Sequence, residues 1–512
     1  MTTDRSPARV SPPNIIYVLA DDLGYGDLAC LNDQSLVPTP HLDQLAERGM
    51  VFSDAHATSS VCTPSRYSIL TGRYNWRSRL QAGVLRQWDG PLIEPGDVTV
   101  AGFLKEHGYD TACIGKWHLG WDWPTFDGRP TEESLPYAVV STPVERLRDE
   151  FWQRIDFSRP VGGGPVDRGF DSYFGVDVPN FPPYAWFVDD RLSELPTTAK
   201  PDHLYGNPGP AVRGWSHEAM LPAFTERAVE FIADHAPGPG QTSRPFFLFL
   251  PLTAPHSPVT PSPQQAGRSG IGAYGDLICE IDAMIGTVLA ALDHAGLTDN
   301  TMVVFTSDNG PELETTDDEG AYERAHRVQH YSMGQLRGVK RDSWDGGHRV
   351  PLIIAWPAVV PAGARCSQLV SLVDLMATCA AMVETPLTPG AGEDSVSMLP
   401  LLSGQDTPIR DHLVTHSCDG VFSVRAGQWV LIDAPTGAEN PEPDWFRSER
   451  GYVDHPFPLE LYDLGADLAE RVNQGNDHPG RVAELRQLLR ATRSRPGAAG
   501  PLHPSESSQG GP

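Results

Sequence analysis

The stretch 14-NIIYVLADDLGYGD-27 decides how the rest of the chain is read. Six consecutive apolar residues, Ile15 to Ala20, run straight into two aspartates, Asp21 and Asp22. An apolar run of that length without alternation suits a strand buried on both faces, as in a parallel sheet covered by helices. Similar runs recur at 110-DTACIG, 246-FFLFLPL, 301-TMVVFTS and 351-PLIIAWP. Between them lie helix-like segments at 40-PHLDQLAERGM, 98-VTVAGFLKEHG, 217-HEAMLPAFTERAVEFIADHA and 275-GDLICEIDAMIGTVLAALDHAG. Strands alternating with helices predict an α/β fold.

The residues at the strand ends carry the chemistry. The first run ends in Asp21 and Asp22, the second leads to Lys116 and His118, the third to His256, and the fourth to Asp308 and Asn309. In open α/β sheets ligands bind beyond the carboxyl ends of the strands, so these distant segments are expected to converge. A single polar residue after a strand is ordinarily a turn residue. Three carboxylates and an amide oxygen brought together without a cation would repel, whereas a hard divalent ion, Ca²⁺ or Mg²⁺, suits such an oxygen-rich set.

A second stretch, 60-SVCTPSRYSILTGR-73, reads as a helix start at Cys62, with Pro64 in the first turn and Gly72 as the stop. The free N–H groups of a helix N-terminus suit a tetrahedral anion, and Arg66 lies about one turn on. A cysteine phosphatase loop is excluded, because it needs five residues between Cys and Arg and only three lie between Cys62 and Arg66.

Composition narrows the options. With 512 residues, one large domain and an appended smaller one are expected. Acidic residues number 66 against 39 basic ones, a net charge of −27, which argues against nucleic acid or an anionic membrane as partner. Seven scattered cysteines without a CxxC pair are neither a disulfide framework nor a zinc ribbon. The polar start MTTDRSPARVSPPN precedes too short an apolar run for a signal peptide, and no stretch approaches a membrane span, so a cytoplasmic location is expected.

These segments together resemble the type I, formylglycine-dependent sulfatases of the alkaline-phosphatase-like superfamily. The family signature C-x-P-S-R reads Cys62-Thr63-Pro64-Ser65-Arg66 here, and 115-GKWHLG-120 resembles a second signature. NIIYVLADDLGYGD, VVFTSDNG and 336-LRGVKRDSWDGGHRVP-351 match in order and spacing, and the likeness runs from about Asn14 into the 480s. The resemblance implies a large mixed, mostly parallel sheet sandwiched by helices. It also implies a smaller C-terminal antiparallel-sheet subdomain carrying a helix. The expected division is residues 14–400 catalytic, 401–492 C-terminal, and 1–13 and 493–512 flexible.

It also implies the chemistry. A separate formylglycine-generating (sulfatase-maturing) enzyme would oxidise Cys62 to Cα-formylglycine, whose hydrate attacks the sulfur of a sulfate ester. Asp21, Asp22, Asp308, Asn309 and the converted Cys62 would hold the ion, by analogy Ca²⁺. Arg66 would hold the diol, and Lys116 and Lys340 would clamp the sulfate oxygens. His118 would take the proton that drives out sulfate, and His256, together with Lys340, would protonate the leaving alcohol. One departure is Asp345-Gly346-Gly347-His348-Arg349, where the family usually has E-G-G and His348 is an extra imidazole. Two alternatives remain beside sulfatase activity: phosphonate-monoester or phosphodiester hydrolysis, and a catalytically silent binding protein. The substrate is expected to be a sulfated carbohydrate or an aryl sulfate, with Trp121, Trp123, Tyr184 and Trp186 considered either as a stacking platform or as local packing.

Overall fold

The computed structural model describes residues 12–131, 142–238, 244–313 and 320–495. The expected flexible termini fall largely outside the described residues, as does part of the loop after Pro311. The Asn14–Asp21 strand lies near the middle of a ten-stranded sheet, buried along its whole length. It pairs in parallel with Phe246–Pro255 on one side and Thr301–Ser307 on the other. Asp110–Lys116 and then Ser172–Val176 extend the parallel set.

The fifth apolar run departs from the parallel expectation. Leu352–Ala355 pairs antiparallel with Thr301–Ser307, and Met50–Phe52 pairs antiparallel with it in turn. Local composition does not encode strand direction. The Asp345–His348 turn leads the chain back beside Thr301–Ser307, and an antiparallel partner does not need the crossover that a parallel one requires.

Helices cover the sheet. The 23-residue Ala273–Ala295 helix packs its Ile278, Ile281, Ile285 and Leu292 into one core layer with Val18 and Leu250. The Cys62–Thr71 helix lies on the opposite side, where Tyr67, Ile69 and Leu70 join Tyr17 and Phe249. That helix ends at Gly72, whose φ of 67° is a left-handed cap that glycine adopts without strain. Gly115 meets a different constraint: a Cβ there would stand 1.8 Å from the Pro251 carbonyl oxygen of the neighbouring strand. No larger residue fits where the strand leads into Lys116.

A separate four-stranded antiparallel sheet comprises His412–His416, Phe422–Ala426, Trp429–Ile432 and Glu460–Asp463. The Pro479–Arg493 helix covers one face of it through Val482, Leu485 and Leu489. Tyr74 and Trp76, just beyond the Cys62 helix, enter the same apolar cluster and tie the two sheets together. Among the described residues, no helix is long and apolar enough to cross a membrane.

Candidate active site

The strand ends do converge. Asp21 and Asp22 close the central strand, and Asp308 and Asn309 follow its parallel neighbour; all four are fully buried. Asp22 has a φ of 68°, in the left-handed region that only a few non-glycine residues occupy. His118 does the same at φ 55°. Left-handed backbone at two such residues is the kind of local strain that surrounding structure must hold in place.

Cations interleave with the carboxylates. Lys116 Nζ donates to Asp21 Oδ2 at 2.6 Å, and Lys340 Nζ to Asp22 Oδ2 at 2.7 Å. Arg66 donates to Asp308 Oδ2 from Nε at 3.0 Å and from Nη2 at 2.9 Å, while its Nη1 reaches the Lys116 carbonyl at 2.9 Å. Asn309 Nδ2 donates to Asp22 Oδ1 at 2.7 Å, which turns the amide oxygen the other way. His256 Nε2 lies 3.8 Å from Asp22 Oδ2, and its Nδ1 is 2.6 Å from the Ser257 carbonyl. His118 Nε2 is held by the Leu85 carbonyl at 3.0 Å, leaving Nδ1 without a partner among the described residues. All ten residues named from the resemblance thus lie in one contiguous site.

Electrostatics follow from the packing. Burial works against the Asp21 carboxylate, but Lys116, His256, Arg66 and Lys340 together hold it well below the usual carboxylate range. Burial, reinforced by the Asp21 charge, pushes Asp308 up to about 7 despite Arg66. Burial pushes the Cys62 thiol up, over the pull of Lys116 and Lys340, so the unmodified residue is a thiol and not a thiolate. Burial opposes the Lys340 charge, yet Asp22 and Glu312 hold its ammonium well above the usual lysine range. Burial, with Lys116 and Arg66, holds His118 well below the ordinary imidazole range.

The donor set fits a hard cation. Asp21 Oδ1 and Asn309 Oδ1 are buried polar atoms with no hydrogen-bond partner among the described residues. Donor atoms of Asp21, Asp22, Cys62 and Asp308 lie within 4.8 Å of one another. Orphaned, buried oxygens of this kind are satisfied by a metal ion.

Cys62, His118, His256 and Lys340 line a cavity of about 690 Å³. Its wall includes Arg341, next to Lys340, and residues outside every motif: Arg86 and Tyr205, with Cys418 and Asn440 from the C-terminal part. Glu312 accepts from Arg341 at 2.5 and 2.8 Å and faces Lys340 at 3.2 Å. Of the two readings of the aromatic residues, local packing holds: Trp121, Trp123 and Tyr184 are buried in the core, and Trp121 stacks on Phe187 with ring centroids 4.5 Å apart. Trp186 packs against Phe174 and Trp215. These rings are spent on holding the loops together. His348 does not line the cavity; it is buried against His56.

Carboxylates and an amide oxygen at the ends of parallel strands, faced by three cations and a helix N-terminus, define a metal-assisted hydrolase of anionic esters. Comparison with known proteins gives the family. The chain belongs to the sulfatase family, whose model matches residues 13–384. It is 35% identical to an N-acetylgalactosamine-6-O-sulfatase of Bacteroides thetaiotaomicron, over 94% of this chain and 93% of that protein. It is 32% identical to human arylsulfatase A, over 94% of this chain and 86% of the other. A solved structure described under the metabolism of multiple glycosaminoglycans by Bacteroides thetaiotaomicron superposes with a TM-score of 0.77 at 32% identity. That match covers 95% of this chain and all of the other. The reaction of the family is hydrolysis of sulfate esters, and the two non-sulfatase readings receive no support from these relatives.

Proposed function

We propose that the chain hydrolyses a sulfate monoester of a carbohydrate, with the sulfate seated between Arg66, Lys116 and Lys340 beside residue 62. The observation that carries this reading is the set of buried cations gathered around Cys62 at the cavity. The cavity wall is rich in polar groups (Asn180, Tyr205, Glu312, Arg341 and Asn440), which suit sugar hydroxyls better than an aryl ring. The relative named for N-acetylgalactosamine-6-O-sulfate supports the same substrate class. Purified enzyme screened against sulfated mono- and disaccharides beside an aryl sulfate tests it. Turnover confined to the aryl sulfate would refute the carbohydrate assignment.

In this reading a maturing enzyme converts Cys62 to Cα-formylglycine, whose hydrate supplies the attacking oxygen. The high thiol pKa supports conversion, because an unmodified Cys62 would be a weak nucleophile. Asp21, Asp22, Asp308, Asn309 and residue 62 hold a divalent ion, Ca²⁺ in preference to Mg²⁺, which lowers the pKa of the nucleophile and draws charge from sulfate. Arg66, Lys116 and Lys340 neutralise the sulfate oxygens as charge builds up on them. His118 accepts a proton at its unpartnered Nδ1. His256 and Lys340 donate toward the leaving oxygen, Lys340 being the member of the pair that keeps its proton in the free protein. We assign residues 14–400 to the catalytic unit and 401–492 to the C-terminal one.

Two consequences can be measured. His256→Ala should slow release of poor leaving groups such as sugar alcohols by about 10²-fold or more, and activated aryl sulfates much less. An equal loss with both would remove His256 from the acid role. The second consequence concerns pH. A general base works unprotonated, and burial, Lys116 and Arg66 lower the His118 pKa, opposed only in part by Asp21 and the Leu85 carbonyl. The buried Asp177 carboxyl, which accepts the His118 backbone N–H, is itself pushed up to about 6. The acid limb of kcat, the constant that contains sulfate release, should therefore lie below pH of about 6.5, the ordinary histidine value. A limb at or above that value would contradict the assignment.

A further inference from the structure

The extra imidazole of the D-G-G-H-R-V-P stretch meets a second histidine in the interior. His348 Nδ1 lies 3.1 Å from His56 Nδ1, and both residues are almost fully buried. The outer nitrogens bear on the tautomers. His56 Nε2 is 2.9 Å from Asp54 Oδ1 and must donate to it. His348 Nε2 is 3.2 Å from the Ser343 carbonyl, which can only accept. Arg425 Nη1 stands 3.3 Å from His56 Nε2 but is directed at Asp54 Oδ1, 2.5 Å away. With both outer nitrogens protonated, two neutral rings would present lone pair to lone pair. Thr415 Oγ1, 3.3 Å from His348 Nε2, offers a donor in the other tautomer, with His348 Nδ1–H then directed at His56 Nδ1. The alternative is a positive charge between the rings, either a second proton or a metal ion.

The surroundings favour the ion. The Asp345 carboxylate has an oxygen within 4.8 Å of a ring nitrogen of each histidine. Zinc–imidazole bonds are about 2.05 Å long, so a 3.1 Å separation corresponds to an N–Zn–N angle of about 98°. That angle falls between octahedral and tetrahedral geometry. Each outer nitrogen is fixed by an oxygen acceptor, the arrangement that orients metal-bound histidines and raises their basicity. Around the cluster, Asp54 and Asp345 are matched by Arg425 and Arg349. Glu470 adds a third carboxyl: its Oε2 accepts the Asp345 N–H at 2.9 Å, and its buried Oε1 has no partner among the described residues.

We propose that His56, His348 and Asp345 form a second metal site, built for a borderline divalent transition ion such as Zn²⁺ and separate from the oxygen-rich site at Asp21. Two imidazoles and one carboxylate are the donor set that such ions prefer over Ca²⁺ or Mg²⁺. The role is structural. His56 precedes the segment that leads into the Cys62 helix, and the His348 carbonyl already accepts the Ala57 N–H at 2.8 Å. Thr415 and Arg425 of the C-terminal sheet contact the two rings, so an ion there would fasten that sheet, the approach to Cys62 and the Asp345–His348 turn at one point.

The test uses the full chain, with Ca²⁺ in excess to saturate the acidic site, and Zn²⁺ as the probe. After gel filtration, mass spectrometry of the metal should find one equivalent of zinc per chain, and added Zn²⁺ should raise the Tm. Both signals should disappear in His348→Gln and His56→Gln. Both should persist in Cys62→Ala and Cys418→Ser, which remove the two thiols that, among the described residues, stand within 4.8 Å of at least two carboxyl groups. Anomalous scattering at the zinc edge from crystals of the unaltered protein needs no variant, and its peak should fall between the two Nδ1 atoms. No retained zinc, zinc that survives His348→Gln, or no anomalous peak there would overturn the proposal and leave a proton-sharing imidazole pair.

Discussion

A Cys62→Ala chain is expected to fold normally and to lose sulfate-ester turnover by about 10⁴-fold or more, the scale on which a missing nucleophile is felt. Cys62 opens a helix whose geometry does not depend on its thiol, and the side chain reaches the cavity rather than the apolar core layer. Stability should change by less than about 1 kcal/mol. The unaltered chain, produced with a maturing enzyme, should yield a tryptic peptide ending at Arg66 that is lighter by the exchange of a thiol-bearing carbon for an aldehyde. Activity should rise in proportion to the converted fraction. Full activity from protein in which only cysteine is found at position 62 would dismiss the proposed nucleophile.

Asp308 offers the second large effect, and here two losses must be separated. Asp308 accepts two bonds from Arg66, which is 1% exposed, and also the Asp22 N–H at 3.3 Å. Asp308→Ala therefore leaves a guanidinium buried without its main counter-charge, a change that costs about 3–5 kcal/mol. Asp308→Asn keeps the volume and one acceptor oxygen, and should unfold less readily. Both variants should lose bound divalent ion, and kcat/KM should fall by about 10³-fold or more, with no rescue by excess Ca²⁺. Metal content and turnover measured on the same samples decide the matter. A variant that keeps its activity without the ion would remove the metal from the proposed chemistry.

Much of this site was legible because its parts are local. Asp21-Asp22 and Asp308-Asn309 each follow an apolar run, and the strand that buries the run also delivers the polar pair to the sheet's carboxyl edge. CTPSR carries its own helix start, and Gly72 its own stop. The cavity wall was less legible. Arg86, Tyr205, Cys418 and Asn440 come from four separate segments with no motif among them. The aromatic residues of the 121–187 region were ambiguous in sequence, since a ring that stacks on a sugar and a ring that stacks on Phe187 look alike.

The sequence by itself determined the fold class, the family and the identity of the ten residues at the candidate site. The fold class comes from apolar runs alternating with helical segments, and the family and the ten residues come from short contiguous motifs that resemble the sulfatases. Only the tertiary structure decided that Leu352–Ala355 runs antiparallel, that the tryptophans are core, and that His348 faces a histidine 292 residues away. The physical reason is the same in each case: these outcomes depend on which surface packs against which, and burial is a property of the whole chain. His348 is the sharpest instance. As a letter in D-G-G-H-R it was an unexplained imidazole at the edge of a motif, and a separation of 3.1 Å from His56 makes it one of three ligands of a candidate metal site.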